Sequence, residues 1–207
     1  MQVVDFIFSI AVLIMSVVIH EVSHGYMAYS LGDPTAKHEG RLTLNPLKHL
    51  DPFGSVLLPA IMVILKTGFI IGWAKPVPYN PYNLKNQRWG PAAVAVAGPA
   101  SNVLIALIFG LLLRFGGSVF LPEGSVQILS VIVFINLLLA VFNLIPIPPL
   151  DGSKIFFAFI GRIWPDLEYF MEQWGFVILI FFIFFLFRFV FPVVLLLFRL
   201  ITGAGLI

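Results

Sequence analysis

The chain has 207 residues, of which 60% are hydrophobic and 11% charged, with a formal net charge of +2 and no cysteine. Soluble domains average about 45–50% apolar and about 25% charged residues, so an ordinary soluble globule is excluded: too little polar surface remains to cover a core that must hold 22 Phe. Missing cysteine rules out a disulfide scaffold, a thiolate metal site and a thiol nucleophile, and the small net charge gives no reason to expect a nucleic-acid partner.

The composition implies an all-α polytopic membrane protein, read as a single integral membrane domain over 1–207. About four transmembrane helices are expected, with a re-entrant or partly spanning segment and short strand-like interfacial pieces. A crossing takes about 20 apolar residues. The first such run covers 3–31 and is stopped by Gly32 and Pro34. It lacks the basic start and small-residue cleavage site of a removable signal.

The next apolar stretch, 53–74, is doubtful, because its clean part is only Val56 to Leu65 before Lys66-Thr67-Gly68 interrupts. It either spans with Lys66 snorkelling or dips in and returns. Clear spans follow at 92–113 and within 126–160, the latter apolar to Ile145. An accessory helix over 174–201 carries Arg188 and Pro192, which predict a kink and a snorkelling or paired arginine.

Two arguments favour re-entry of 53–74. Re-entry puts Lys37, Arg41, Lys48, Lys75, Lys85, Arg88, Lys154 and Arg162 on one side against Arg114 and Arg199. That is the asymmetry of a cytoplasmic face, whereas a full crossing divides the cations evenly. Re-entry also leaves the first and third clear spans parallel. Both chain ends are then expected outside.

His20-Glu21-Val22-Ser23-His24 is an HExxH at the end of the first span. Residues i and i+4 share a helix face, so both imidazoles can reach one metal ion, and Glu21 is placed to polarise a water there. Ionisable groups at membrane depth are costly and mark function. A catalytic zinc site needs a third protein ligand and an open fourth position. Asp151 is the outstanding candidate. It follows Asn143-Leu-Ile-Pro-Ile-Pro-Pro-Leu150, whose prolines break the helix, and such backbone survives in a membrane only where protein or a wet cavity surrounds it. Asp151 could instead merely cap the helix that follows. His38 with Glu39, and His49 with Asp51, read as an interfacial polar loop rather than as further ligands. Asn102 could donate to an oxyanion or substrate backbone, or glue helices together. Asn143 is a candidate support for Asp151. Gly98, Ala106 and Asn136 read as packing positions.

HExxH on the first span together with Asn143-x-x-Pro-x-Pro-x-x-Asp151-Gly resembles the site-2 protease family of intramembrane zinc metalloproteases. Ala97-Gly-Pro-Ala-Ser-Asn102 resembles that family's middle core helix. Gly40-Arg-Leu-Thr-Leu-Asn-Pro46 and Gly72-Trp-Ala-Lys-Pro-Val-Pro78 resemble a compact prokaryotic subgroup without PDZ or CBS domains. The resemblance runs from about residue 18 to 155. It implies His20, His24 and Asp151 as ligands of one zinc ion per chain and Glu21 as the catalytic glutamate, with no other cofactor.

The implied activity is hydrolysis of peptide bonds within or near a transmembrane helix of a membrane-protein substrate (regulated intramembrane proteolysis). The implied location is the plasma membrane of a prokaryote, with the site nearer the cytoplasmic face. A metal transporter and a non-catalytic metal-binding protein of the same fold are the alternatives. A substrate helix must unwind before cleavage, and the strand-like runs Arg41–Leu44 and Trp73–Tyr79 are expected to offer it an edge, although Pro76 and Pro78 limit the donors available.

Overall fold

The computed structural model describes residues 3–65, 72–120 and 124–203; the Lys66-Thr67-Gly68 interruption and both chain ends lie outside these. Eight α-helices occur in this order: α1 (Val3–Ser30), α2 (Thr35–His38), α3 (Leu58–Ile64), α4 (Trp89–Phe120), α5 (Ser125–Asn143), α6 (Asp151–Ile160), α7 (Pro165–Phe185) and α8 (Val190–Thr202). Four of them, α1, α4, α5 and α7, are long and apolar enough to cross a membrane. Their large apolar side chains stand exposed in bulk, among them Ile7, Leu104, Ile108, Phe176 and Phe184, as lipid-facing surfaces require. The protein is an integral membrane protein of all-α class.

The centre is a three-helix layer of α1, α4 and α5. On α1 the buried positions Ser16, His20, His24 and Ala28 recur every four residues and form one stripe. It meets α4 at Val94, Gly98 and Asn102, where Gly98 lets the two helices approach closely, while Ala106 and Gly110 of the same helix face α5 and α8. Contacts pair His24 with Val94, His20 with Asn102, and Asn102 with Asn136. α4 is therefore antiparallel to α1 and α5, while α1 and α5 run parallel. That arrangement brings the ends of α1 and α5 to one depth.

The stretch after α2 enters through a π-helical turn at Pro52–Leu57 and continues as α3. Its two ends are tied together: Trp73 N–H donates to Gly54 O, Lys75 N–H donates to His49 O, and Ser55 Oγ donates to Trp73 O. These bonds hold the entry and the exit of the stretch side by side. Among the described residues the strand-like pieces reduce to one isolated antiparallel bridge, Leu50 with Ala74.

The terminal stretch differs from the single kinked helix expected over 174–201. Helix α7 starts earlier, at Pro165, and a 3-10 turn at Phe187–Phe189 separates it from α8. Pro192 supplies the reason. It has no N–H for the Arg188 carbonyl, so it fits only in the first turn of a new helix. Ring pairs Phe142–Phe187 and Phe134–Phe191 show α8 running antiparallel to α5, where Val190, Val194 and Phe198 complete a core with Ala106, Val133 and Leu137. Arg188 is exposed, its guanidinium 5.0 Å from the Phe189 ring centre, and is not paired inside the bundle.

Candidate metal centre

His20 and His24 point from α1 into α4, and their outer ring nitrogens are both engaged. His24 Nδ1–H donates to Val94 O at 2.7 Å, and His20 Nδ1–H donates to Asn102 Oδ1 at 2.6 Å. Each Nε2 therefore carries a lone pair directed inward. The two Nε2 atoms lie 3.0 Å apart. Asp151 Oδ2 is 3.1 Å from the first and 3.3 Å from the second. It is buried and accepts no hydrogen bond. With both imidazoles neutral, three acceptor atoms thus face one another, an arrangement that is repulsive in a low dielectric unless a proton or a metal cation joins it.

The triangle fits zinc. Tetrahedral bonds of about 2.0–2.1 Å place ligand atoms about 3.3 Å apart, and two imidazoles with one carboxylate form a donor set that leaves the fourth position open. Glu21 brings a carboxylate oxygen within 4.8 Å of the histidine donor atoms. Asp151 Oδ2 lies 3.1 and 3.3 Å from the two Nε2 atoms, whereas Glu21 Oε2 already accepts from Val77 N–H at 2.8 Å, so of the two carboxylates Asp151 is the one that completes the triangle.

Asp151 reaches this corner because the chain leaves α5 at Asn143, turns through its prolines and restarts as α6. Asp151 is the first residue of α6, and neither it nor Leu150 supplies a side-chain cap bond, which removes the capping alternative. Gly152 is required here: a Cβ would strike the Leu144 carbonyl, and the Ile145 oxygen lies 2.5 Å from where it would stand. On the opposite wall a Cβ on Gly98 would strike His24 Nε2 and stand 2.6 Å from His20 Cε1. Gly98 therefore makes room for the imidazoles, a role beyond the helix packing expected of it.

The remaining candidates separate cleanly. Asn102 is fully buried; its Nδ2 donates to Asn136 Oδ1 at 2.9 Å and at 3.4 Å to Ser16 O. Both ends of the amide are used inside the bundle, which supports His20 and leaves no donor for an oxyanion. Asn143 Nδ2 donates to Leu139 O on its own helix, and no described hydrogen bond joins it to Asp151. His38 and Glu39 are exposed. His49 is buried, with Nε2–H donating to Thr43 O, and Asp51 Oδ1 accepts from Phe53 and Gly54 N–H. These loop residues stay out of the cluster.

Three participants escaped the sequence reading. Val77 N–H holds Glu21. Arg41, buried, donates from Nη2 to the carbonyls of Lys75 and Pro76 and so holds the extended segment that carries Val77. Asn136, read as packing, accepts from Asn102 Nδ2. The signal for the first was present in Pro76-Val77-Pro78: between two residues without N–H, Val77 is the single main-chain donor.

Outside the bundle, Asp33 fastens the turn after α1 to the 80–83 turn. Its carboxylate accepts from Thr35 N–H and Oγ1–H, Asn80 N–H and Asn83 Nδ2. Burial alone would raise its pKa, but these four donors outweigh burial and hold the carboxyl below its ordinary value.

Residues 114–186, which include Asn136, Asn143 and Asp151, match Peptidase family M50. The chain is 46% identical to YwhC of Bacillus subtilis over 149 residues, covering 69% of this chain and 64% of that protein. It is 33% identical to Rip2 of Mycolicibacterium smegmatis over 181 residues, covering 84% of this chain and 66% of that protein. Rip2 of Mycobacterium tuberculosis is 32% identical over 149 residues, 71% of this chain and 55% of that protein. All three are named as candidate zinc metalloproteases. The chain thus spans just under two thirds of the length of YwhC and of the first Rip2. No solved structure matches it.

Proposed function

The chain carries a Peptidase family M50 domain, and on that premise we propose that it is a zinc-dependent endopeptidase cutting membrane-protein substrates within or near their transmembrane segments. The observation that carries this reading is the triangle of His20 Nε2, His24 Nε2 and Asp151 Oδ2, three potential ligand atoms 3.0–3.3 Å apart. These residues would hold one zinc ion per chain. Such an ion supplies Lewis acidity, polarising a peptide carbonyl and acidifying a water molecule.

The chain's own residues do the rest. Glu21 takes a proton from the attacking water as the water oxygen bonds to the scissile carbon, then returns it to the amine nitrogen as the carbon–nitrogen bond breaks. Val77 N–H occupies Oε2 and fixes the carboxylate's rotation, so Oε1 holds the travelling proton. The cations gathered in the loops and the tied ends of the 53–74 stretch support a reading in which the site lies nearer the cytoplasmic face of a prokaryotic plasma membrane. The substrates would be proteins whose single helices unwind there.

Purified protein in detergent or proteoliposomes tests the reading, with zinc content and cleavage of a model transmembrane substrate measured side by side. Glu21→Gln should keep one zinc and lose at least about 100-fold in cleavage rate. Asp151→Ala should lose the zinc. Wild-type protein that binds no zinc would overturn the proposal.

A further inference from the structure

The tautomer of His24 is fixed directly by a backbone carbonyl, because Val94 O can only accept. His20 has no such neighbour. Its Nδ1 meets the Asn102 amide, which can present either an acceptor or a donor. Facing the wrong way, Asn102 would donate to Nδ1 and leave the His20 proton on Nε2, pointed at the metal position. Something must decide.

Asn136 Nδ2 donates to Ile132 O, one turn back on α5, at 2.9 Å, and to Ser16 Oγ at 2.9 Å. Ile132 O can only accept, so the amide end beside it must be nitrogen. Asn136 Oδ1 must then face Asn102, and it does, at 2.9 Å. Asn102 must answer with its nitrogen, which turns Asn102 Oδ1 to His20 Nδ1. Asn102 and Asn136 are fully buried and Ser16 nearly so, so no water competes for any of these bonds.

We propose that Asn136 is a positioning residue for the metal centre: anchored on the Ile132 carbonyl, it orients the Asn102 amide and thereby keeps the His20 Nε2 lone pair free for the metal. The inference rests on the metal-site reading above and assigns a role to a residue that does not touch the metal position. A hydrogen bond that merely glued α4 to α5 would serve equally well in either direction; this one has a required direction.

Zinc affinity of the detergent-solubilised protein, measured by competition with a chromophoric chelator, tests it in four variants whose folding is followed by size-exclusion elution and thermal unfolding. Asn136→Leu should weaken zinc binding about 10- to 100-fold, the usual effect of losing an outer partner of a metal ligand. Asn102→Asp alone should lower the melting temperature, because the Asn136 Oδ1 held toward position 102 then meets a second acceptor. Asn136→Leu combined with Asn102→Asp removes that clash and, since either carboxylate oxygen accepts from His20 Nδ1–H, should regain affinity. Ser16→Ala, which spares the Ile132 anchor, should stay within about 3-fold of wild type.

Wild-type affinity in Asn136→Leu would overturn the inference, as would weakening without rescue by Asn102→Asp in a folded double variant. Should Asn136→Leu fail to fold, wild-type affinity in Asn136→Ala would overturn it. Absence of zinc binding in the wild type would instead defeat the metal-site reading itself.

Discussion

At the scale of single residues, the proposed metal centre depends as much on missing atoms as on its candidate ligands. Gly98 faces both imidazoles, and alanine there would favour the helix while filling the space the rings occupy. Gly98→Ala is expected to fold normally and to lose at least about 10-fold in zinc affinity; isothermal competition with a chelator would show it, and wild-type affinity would refute it. Asp33 offers a pH test. Its carboxyl sits below the ordinary value in the folded protein, so its contribution to stability is present above the unfolded pKa of about 3.9 and is lost as pH falls through the lower native value. At neutral pH Asp33→Asn should melt below wild type, and the gap should close under strongly acidic conditions; a gap independent of pH would contradict this. HExxH and Asp151 were legible in the sequence because ionisable groups are rare in apolar runs. Gly98, Arg41 and Asn136 were not, because their roles lie in which neighbour they meet.

At the scale of elements, the strand-like run 73–79 has changed meaning. The sequence suggested an edge offered to an unwound substrate. In the structure the one donor of residues 76–78 is spent on Glu21, and the carbonyls of Lys75 and Pro76 are held by Arg41. This run orients the proposed base instead. Val77→Pro should leave zinc content unchanged and reduce cleavage about 10-fold or more, with the loss in kcat; a change confined to KM would point back to substrate pairing. Helix positions were readable from apolar length, and the break before α8 from Pro192. The early start of α7 at Pro165 was hidden because its first turns, with Asp166, Glu168 and Glu172, are polar.

At the scale of the whole molecule, parallel α1 and α5 with an antiparallel α4 between them account for a site built from residues 131 positions apart in sequence, His20 and Asp151. The chain contains no cysteine, so single cysteines can report sidedness without background. Lys48→Cys, Lys75→Cys and Lys154→Cys should react with an impermeant maleimide from the cytoplasmic side, and Arg199→Cys from the other. Labelling of Lys48→Cys and Lys75→Cys from opposite faces would exclude re-entry of the stretch between them.

The buried amides carry one more consequence, for assembly. Much of the facing surface of α1, α4 and α5 is alanine, valine and leucine, which pack nearly as well one turn higher or lower. A slip of one turn, about 5.4 Å, would leave Ser16, Asn102 and Asn136 facing hydrocarbon with their partners out of reach. These side chains act as a depth gauge that sets the height of each helix against the others. The metal-binding corner is thus brought to its level by interactions that need no metal, and chelating the ion should leave the three helices in register.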